Sequence, residues 1–370
     1  MPTNTAAWIR EKHGRFEIDA APYPTPGADQ IVIRNRAVAI NPLEWIIQVD
    51  GTLTYNWLTY PTVLGSDTAG DVVEVGSNVT RFRAGDRVLG HAVGTDKDTN
   101  TSTEGTFQEF TVVLERLASP IPDSLAYEQA ACLPLAVSTA SCALFEKNQL
   151  GLPLPGSSLT PRNATVLIWG GATSVGAQAI QLAVAAGYEV VTTSSPHNFA
   201  RLTALGAGHV FDYGSPTVES DIVEALAGRT VAGAITFGTT GAPACVRILG
   251  RSTGNRFVAI GTPPVSFAAL ADGRLATRIR ITAKLIQSNI ALQFAARPRG
   301  VKLKYLFGSA LKHTEVSLAI YRDFLPDALA ENRYAIFPEP TVVGHGLDAV
   351  QGALDTQRRG VSAQKIVVTL

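Results

Sequence analysis

The chain has 370 residues, of which 46% are apolar and 17% charged, and its formal net charge is zero. That length allows two domains with a large core, and that apolar share excludes a disordered chain. Lysine and arginine are scattered, which excludes the basic face of a nucleic-acid binder, and no apolar run reaches the ~18 residues of a membrane span. Three cysteines, Cys132, Cys142 and Cys245, form neither a disulfide framework nor a metal knuckle and read as core residues.

The first fourteen residues, MPTNTAAWIREKHG, lack the charged-then-apolar pattern of a secretory leader. A soluble, cytoplasmic protein that contacts neither nucleic acid nor membrane is therefore expected. Short β-rich runs follow: Ile31–Ile33, Val72–Val75, Arg87–Leu89 and Phe110–Val113, with glycine and proline turns between them. This texture predicts a small distorted barrel or sandwich. His91 to Gly105 is polar and threonine-rich and reads as an exposed loop. Beyond Tyr127 the pattern turns helical and apolar nearly all round, so the helix should be buried; Pro134 breaks it and starts a fresh helix over Leu135–Ser141. Residues 151–161 read as a surface loop.

Val166 to Ala183, VLIWGGATSVGAQAIQLA, organises the middle of the chain. Val166–Trp169 is a short apolar run suited to a buried strand, and Gly170 and Gly171 break it. Beyond Gly176, the positions Ala179, Ile180, Leu182 and Ala183 share one helical face. Strand, glycine turn and helix in that order aim backbone N–H groups at an anion over the helix start, most often a dinucleotide pyrophosphate. The spacing departs from G-x-G-x-x-G, since Ser174 stands where a middle glycine would be. A second strand, Tyr188–Thr193, closes a βαβ unit of about 30 residues. It ends in Ser194, Ser195, Pro196, His197 and Asn198, with Arg201 one turn on. An NAD site carries an acid there for the ribose hydroxyls. None is present, and hydroxyls, an amide and a guanidinium favour the 2′-phosphate of NADP. Ser195 also reads as a helix N-cap with Pro196 at the first helical position.

Further strands are expected at His209–Phe211, Ala234–Phe237 and Arg256–Gly261, giving about five parallel strands in a doubly wound sheet, with Leu303–Gly308 as an edge strand. Thr314–Ala330 reads as a helix, Ile336–Val343 as a strand, Leu347–Gln357 as a helix and Lys365–Leu370 as a closing strand.

Leu64-Gly65-Ser66-Asp67-Thr68-Ala69-Gly70, then Val75-Gly76, Val79, Gly85-Asp86-Arg87-Val88 and the glycine turn resemble the medium-chain dehydrogenase/reductase superfamily over the whole chain. The resemblance implies an α/β protein: a GroES-like β-rich catalytic domain at 1–131, a Rossmann NADP-binding domain at 132–312, and a return to the first domain at 313–370. Within the superfamily, Asn41-Pro42, Trp169-Gly170-Gly171, Ser195-Pro196-His197-Asn198 and Gly360-Val361-Ser362-Ala363 are most similar to the fungal trans-acting enoyl reductases of polyketide pathways. The implied activity is NADPH-dependent reduction of an activated carbon–carbon double bond, in an enoyl thioester or enone of secondary metabolism. A quinone reductase, an alcohol dehydrogenase-like oxidoreductase and a non-catalytic NADPH-binding protein are the alternatives. The implied partners are a small-molecule or carrier-bound substrate and a polyketide synthase acting in trans. Both a monomer and a homodimer are compatible.

Zinc-dependent members place a cysteine before the first helix and a histidine in a Gly-His-Glu motif. Here the corresponding stretches read Asn41-Pro42-Leu43-Glu44 and Gly65-Ser66-Asp67, and the four cysteines of a structural zinc lobe are absent. Three protein ligands cannot be assembled, so no metal is expected, and alcohol oxidation loses its Lewis acid. Members of the reductase group carry a lysine beside the tryptophan of the Asn-Pro-x-x-Trp segment; here Ile46 follows Trp45, which leaves the proton donor unassigned.

By resemblance, Asn41 is the first candidate for a polar group near the nicotinamide, although Asn-Pro also reads as a simple turn. Tyr55 lies near the catalytic tyrosine of mitochondrial enoyl reductases at a different spacing, and reads either as a general acid or as a pocket aromatic. Leu135 and Ser138 are implied at the substrate pocket and Thr139 at the cofactor, though both hydroxyls read equally as helix packing. Gly171, Ala172, Thr173, Ser174, Val175 and Gly176 would take the pyrophosphate. Ser194 to Asn198, with Arg201, would take the 2′-phosphate end, and Tyr213 the adenosine ribose-phosphate. Ile260, Gly261, Gly360 and Val361 would edge the nicotinamide.

Overall fold

The computed structural model describes all residues except 1, 2, 52 and 157–159; the last three fall within the loop expected over 151–161 and lie outside the described residues. Two compact units share the chain. Residues 1–138, 267–273 and 312–370 form the first, and residues 139–266 and 274–311 the second. The first boundary falls seven residues beyond position 131, inside the helix Pro134–Phe145, where the sequence shows no turn or change of texture.

The first unit begins with β1 (Asn4–Ile9), β2 (Phe16–Ala21), β3 (Gln30–Ala39), β4 (Thr62–Val63), β5 (Asp67–Val75), β6 (Arg87–His91), β7 (Phe110–Leu114) and β8 (Ala118–Pro120). The second contributes β9 (Ala164–Trp169), β10 (Glu189–Ser194), β11 (His209–Asp212), β12 (Thr230–Thr236), β13 (Thr253–Gly254), β14 (Phe257–Ile260) and β15 (Lys302–Tyr305). The chain returns to the first unit with β16 (Glu339–His345) and β17 (Gln364–Thr369).

In the first unit, β2-β1-β4 form a small sheet, and a larger one runs β16-β17-β3-β5-β6-β8 with β7 also paired to β3. The closing strand is therefore central: β17 pairs β16 in parallel and β3 antiparallel, with Val367 opposite Ala39. β5 lies on the other side of β3, with Asp67 opposite Ala39, and β6 follows with His91 opposite Asp67. The ends of β3, β5, β6 and β17 thus gather Asn41, Asp67, His91 and Lys365 in one neighbourhood. Beneath them Ile9, Val38, Ile47, Leu64, Phe107, Leu354 and Val368 form a buried apolar cluster.

The second unit is a parallel sheet in the order β11-β10-β9-β12-β14-β15, with β13 beside β12. With the short β13 left out of the count this is 3-2-1-4-5-6, the doubly wound order, whose ligand crevice lies beyond the carboxyl ends of the strands where the winding reverses. The central strands bury Val166–Ile168, Val190 and Val191, Ala234 and Ile235, and Val258 and Ala259 completely, as near-continuous apolar runs in a two-faced parallel sheet should. The expected edge strand is present as β15 and stops at Tyr305.

One expectation is corrected. The segment from His91 to Gly105 is not exposed throughout. His91 ends β6, and residues 91–95 and 104–105 are buried, because Trp57 donates to the carbonyl of Thr95 at 3.1 Å and Lys312 bonds Asp96 at 3.1 Å. The helix expected over Thr314–Ala330 is present from Glu315 to Ala330, with a π-helical stretch at Ala319–Phe324 just ahead of Pro326. Cys132, Cys142 and Cys245 are all buried, as core residues. Among the described residues no helix is long and apolar enough to cross a membrane.

Candidate active site

In the second unit, the residues implied at the cofactor converge on one end of the sheet. Gly170–Gly176 follows β9, Ser195–Asn198 follows β10, Tyr213 follows β11, and Gly261 follows β14. The turn after β9 is tight for a steric reason. Gly170 has φ +92°, and a Cβ on Gly176 would come within 2.2 Å of the Gly170 carbonyl oxygen. Gly171 is held as closely, since its Cβ would meet the Thr192 hydroxyl at 2.3 Å. Thr173 caps the helix Ser174–Ala185 by accepting the N–H of Gly176 at 3.0 Å.

The N–H groups of Gly170 and Gly171 are already committed to Thr193 on β10, at 3.0 and 2.9 Å. The turn's donors for an anion are therefore Ala172, Ser174 and Val175, at the positive end of a twelve-residue helix. The hydroxyl of Ser174 is buried there without a partner among the described residues. A buried, unpaired hydroxyl beside a cradle that excludes any Cβ fits a phosphate group.

At the end of β10, Ser195 takes the N-cap position ahead of Pro196 but makes no side-chain cap bond; its hydroxyl pairs with the Tyr213 hydroxyl at 3.0 Å. Tyr213 is 51% exposed and Arg201 is exposed. The amide oxygen of Asn198 is buried and unpartnered. No carboxylate ends β10; Asp212 ends β11, opposite Ser194, and accepts the N–H of Gly214 at 2.8 Å.

The first unit holds a buried polar cluster in the residues of the Asn-Pro and Gly-Ser-Asp segments. Asp67 is 0% exposed, and its carboxylate accepts from three elements: the Leu135 N–H at 2.6 Å, the Asn41 amide N–H at 2.9 Å, and the Lys365 ammonium at 2.8 Å. The same ammonium donates to the Asn41 carbonyl oxygen. Asn41 is 2% exposed, with both ends of its amide engaged. Lys365 appeared at the sequence level only as the start of a closing strand. It is the functional residue missed there, and a lone lysine in an apolar strand, Lys365–Val368, was the signal available.

Glu44 completes the cluster. Its carboxylate reaches back to the Asn41 N–H at 2.7 Å, one arm of a capping box on the helix Pro42–Asp50, and accepts the Ser66 hydroxyl at 3.0 Å. Burial, then the nearby Asp67 carboxylate, push Glu44 up to about 7; Lys365 opposes them only in part. His91 is driven down to about 4, chiefly by burial, and is neutral. Its Nδ1 meets the Ser138 hydroxyl at 2.8 Å, which meets Tyr321 at 2.7 Å, and Tyr321 donates to the Pro134 carbonyl at 2.7 Å. That order fixes the tautomer: His91 donates from Nδ1. Ser138 is fully buried in this chain, so it presents no free hydroxyl.

Tyr55 packs on Trp57, with ring centroids 5.1 Å apart. Its hydroxyl has no hydrogen-bond partner among the described residues, and burial with the charges of Glu44 and Asp96 raises its pKa above the ordinary phenol value. Ile46 is half-buried on the helix Pro42–Asp50. Gly360 and Val361 lie in the first unit and Thr139, Ile260 and Gly261 in the second; the hydroxyl of Thr139 faces Gly308.

The donor set does not fit a catalytic zinc. Asn41 and Ser66 stand where a thiolate and an imidazole would be needed, and an ammonium already lies against Asp67. Among the described residues no group of three His, Cys, Asp or Glu is arranged to hold a metal ion.

Residues 27–123 match the alcohol dehydrogenase GroES-like domain. The chain is 48% identical over 372 aligned positions to the dehydrogenase pigH of Monascus ruber, covering 100% of both proteins. It is 38% identical over 373 positions to the trans-enoyl reductase himH of Aspergillus japonicus, covering 99% of this chain and 97% of that protein. Among solved structures, an alcohol dehydrogenase superfamily protein from Novosphingobium aromaticivorans matches with a TM-score of 0.73 and 25% identity over 100% of both chains.

The state of Glu44 makes stability depend on pH. Its folded pKa lies above the unfolded value, so the folded chain keeps a proton that the unfolded chain releases. Its contribution is most favourable below about pH 4.5 and is lost as the pH rises through about 7, by roughly 3 kcal/mol. Glu44→Gln keeps the shape without the charge. In urea unfolding at a series of pH values, the variant should gain on the native chain between about pH 4.5 and 7.5; parallel curves would show that Glu44 does not titrate in that window.

Proposed function

Because the chain belongs to the medium-chain dehydrogenase/reductase superfamily, we propose that it reduces an activated carbon–carbon double bond, in an enone or enoyl thioester, with NADPH. That it is an enoyl-reductase-like oxidoreductase follows from its full-length relatives. The observation that carries the finer reading is the cluster at Asn41, Ser66 and Asp67. Its lysine-neutralised oxygens replace the ligands with which a metal would polarise an alcohol. Hydride addition to a conjugated alkene needs no Lewis acid of that kind, because the developing charge is delocalised onto a carbonyl oxygen that neutral donors can stabilise. The name of the Aspergillus japonicus relative supports the same choice.

NADPH, when bound, supplies the hydride. The chain's part is to bind, orient and exclude water. In this reading Gly171–Gly176 take the pyrophosphate, through the N–H groups of Ala172, Ser174 and Val175. Ser194–Asn198, Arg201 and Tyr213 take the 2′-phosphate end, where a carboxylate would repel it. Thr139, Ile260 and Gly261 of the second unit border the nicotinamide, and in the first unit Leu135 and Ser138 contribute wall rather than donors. Asn41 acts through the cluster and not as a free amide. Tyr55 holds a proton on an unpartnered hydroxyl, which suits it to protonate the α-carbon in place of the lysine that Ile46 replaces. The phenolate left behind regains its proton from solvent. A polyketide synthase acting in trans is the proposed source of a carrier-bound substrate.

NADPH should bind at least about tenfold more tightly than NADH, a difference of about 1.4 kcal/mol. Fluorescence titration with the two cofactors measures it, and equal affinities would remove the reading of the β10 edge.

With a simple enone, Tyr55→Phe should lower kcat about 100-fold while NADPH affinity stays within twofold. Deuterium from D₂O should enter the α-carbon and deuteride from labelled NADPH the β-carbon. Solvent label at the β-carbon would contradict the mechanism.

A further inference from the structure

Lys365 is a buried cation with no role in binding the cofactor as read above. It lies on β17 beside Ile366, Val367 and Val368, all at most 2% exposed, and its own side chain is 4% exposed. An apolar side chain would suit that strand, and replacing a buried ion pair by well-packed apolar groups is often neutral or stabilising. The charge therefore calls for a reason other than stability. Its contacts supply one. The ammonium touches Asp67 and Asn41, and Asp67 in turn holds the Leu135 N–H. One positive charge thus ties together the start of the helix Pro42–Asp50, the start of β5, and the start of the helix Pro134–Phe145.

The same contacts fix the Asn41 amide. Its carbonyl oxygen faces an ammonium and its NH₂ faces a carboxylate. The flipped amide would set NH₂ against the ammonium and oxygen against the carboxylate, losing both bonds and adding two repulsions. Without the ammonium, Asp67 would be a buried carboxylate served only by neutral donors, with the Glu44 carboxyl close by. The other ionisable groups coupled to the cluster are His91, which is neutral, and Cys132 and Tyr55, both held protonated by burial; Asp96 acts on His91 and Tyr55. No second cation replaces Lys365 among them.

We propose that Lys365 is a positioning residue for the substrate side of the site: clamped by Asp67 and Asn41, it holds the segments that begin at Asn41 and at Pro134 in one arrangement. The proposal rests on the reading that this side receives an activated alkene.

The test uses the full chain with NADPH and a simple enone, in Lys365→Met and in the charge-balanced double variant Lys365→Met/Asp67→Asn. Lys365→Met should lose thermal stability and at least tenfold in kcat, with NADPH affinity within twofold of the native chain. The double variant should regain most of the stability, since no buried charge is left unpaired, and remain at least tenfold down in kcat. Hydrogen exchange should quicken in peptides spanning 41–47 and 134–139 in both variants and stay unchanged over 174–185. A double variant with native stability, native kcat and native exchange would mean that the lysine only balances charge, and would overturn the proposal. So would failure of both variants to fold, which would make the lysine a general structural support. If the native chain itself does not reduce enones, the functional reading fails, and the exchange measurement still decides the role of Lys365.

Discussion

The first unit depends on the environment of one carboxylate. Asp67 is fully buried, and it is tolerated because three donors from three parts of the chain reach it: a helix N-terminus, an amide and an ammonium. A buried carboxylate without such partners would protonate or open the structure. Each donor is in turn located by Asp67, so the carboxylate works as an organising point. Lys365 on the closing strand, 298 residues after Asp67, is tied to the start of β5 by the same ammonium that sets the Asn41 amide. Glu44 is the contrasting case. It receives two N–H groups, a hydroxyl and a long amide contact, and no cation among the described residues touches it, so burial dominates and its proton is held to near-neutral pH.

The second unit answers a different constraint, the accommodation of phosphate without a lysine or arginine in the turn. Close packing of Gly171 and Gly176 lets backbone approach backbone after β9, and Thr173 satisfies one helix N–H while neighbouring groups are left unpaired. The lack of an acid at the end of β10 is the ground for proposing NADPH over NADH. In the first unit a helix N-terminus serves the Asp67 carboxylate, and in the proposed reading a helix N-terminus of the second serves a ligand.

What was legible in the sequence follows from the range of the interactions. The glycine turn, its helix and the parallel strands around it are encoded locally, in period and in steric need, and the sheet appears at the strands expected. The β-rich character of the first unit was legible for the same reason. The cluster was not, because its bonds span 26 residues from Asn41 to Asp67 and 324 from Asn41 to Lys365. Asn41 could be read as a polar group of the site, but its full engagement by Lys365 could not, since nothing in Gln364–Thr369 says which way the lysine points. The segment from His91 to Gly105 was misjudged because its polar residues are satisfied by partners distant in sequence, among them Trp57, Ser138 and Lys312. Composition alone cannot separate a solvated loop from one bonded to the body of the protein.

The central claim is that an ammonium-balanced, metal-free site supports alkene reduction rather than alcohol oxidation. The most direct measurement takes protein stripped with a strong chelator, verified by elemental analysis, and offers it two reactions side by side: NADPH with an enone or enoyl thioester, and NADP⁺ with primary and secondary alcohols. The account predicts undiminished turnover of the alkene and none of the alcohols. Alcohol oxidation that disappears on stripping and returns with added zinc would contradict it.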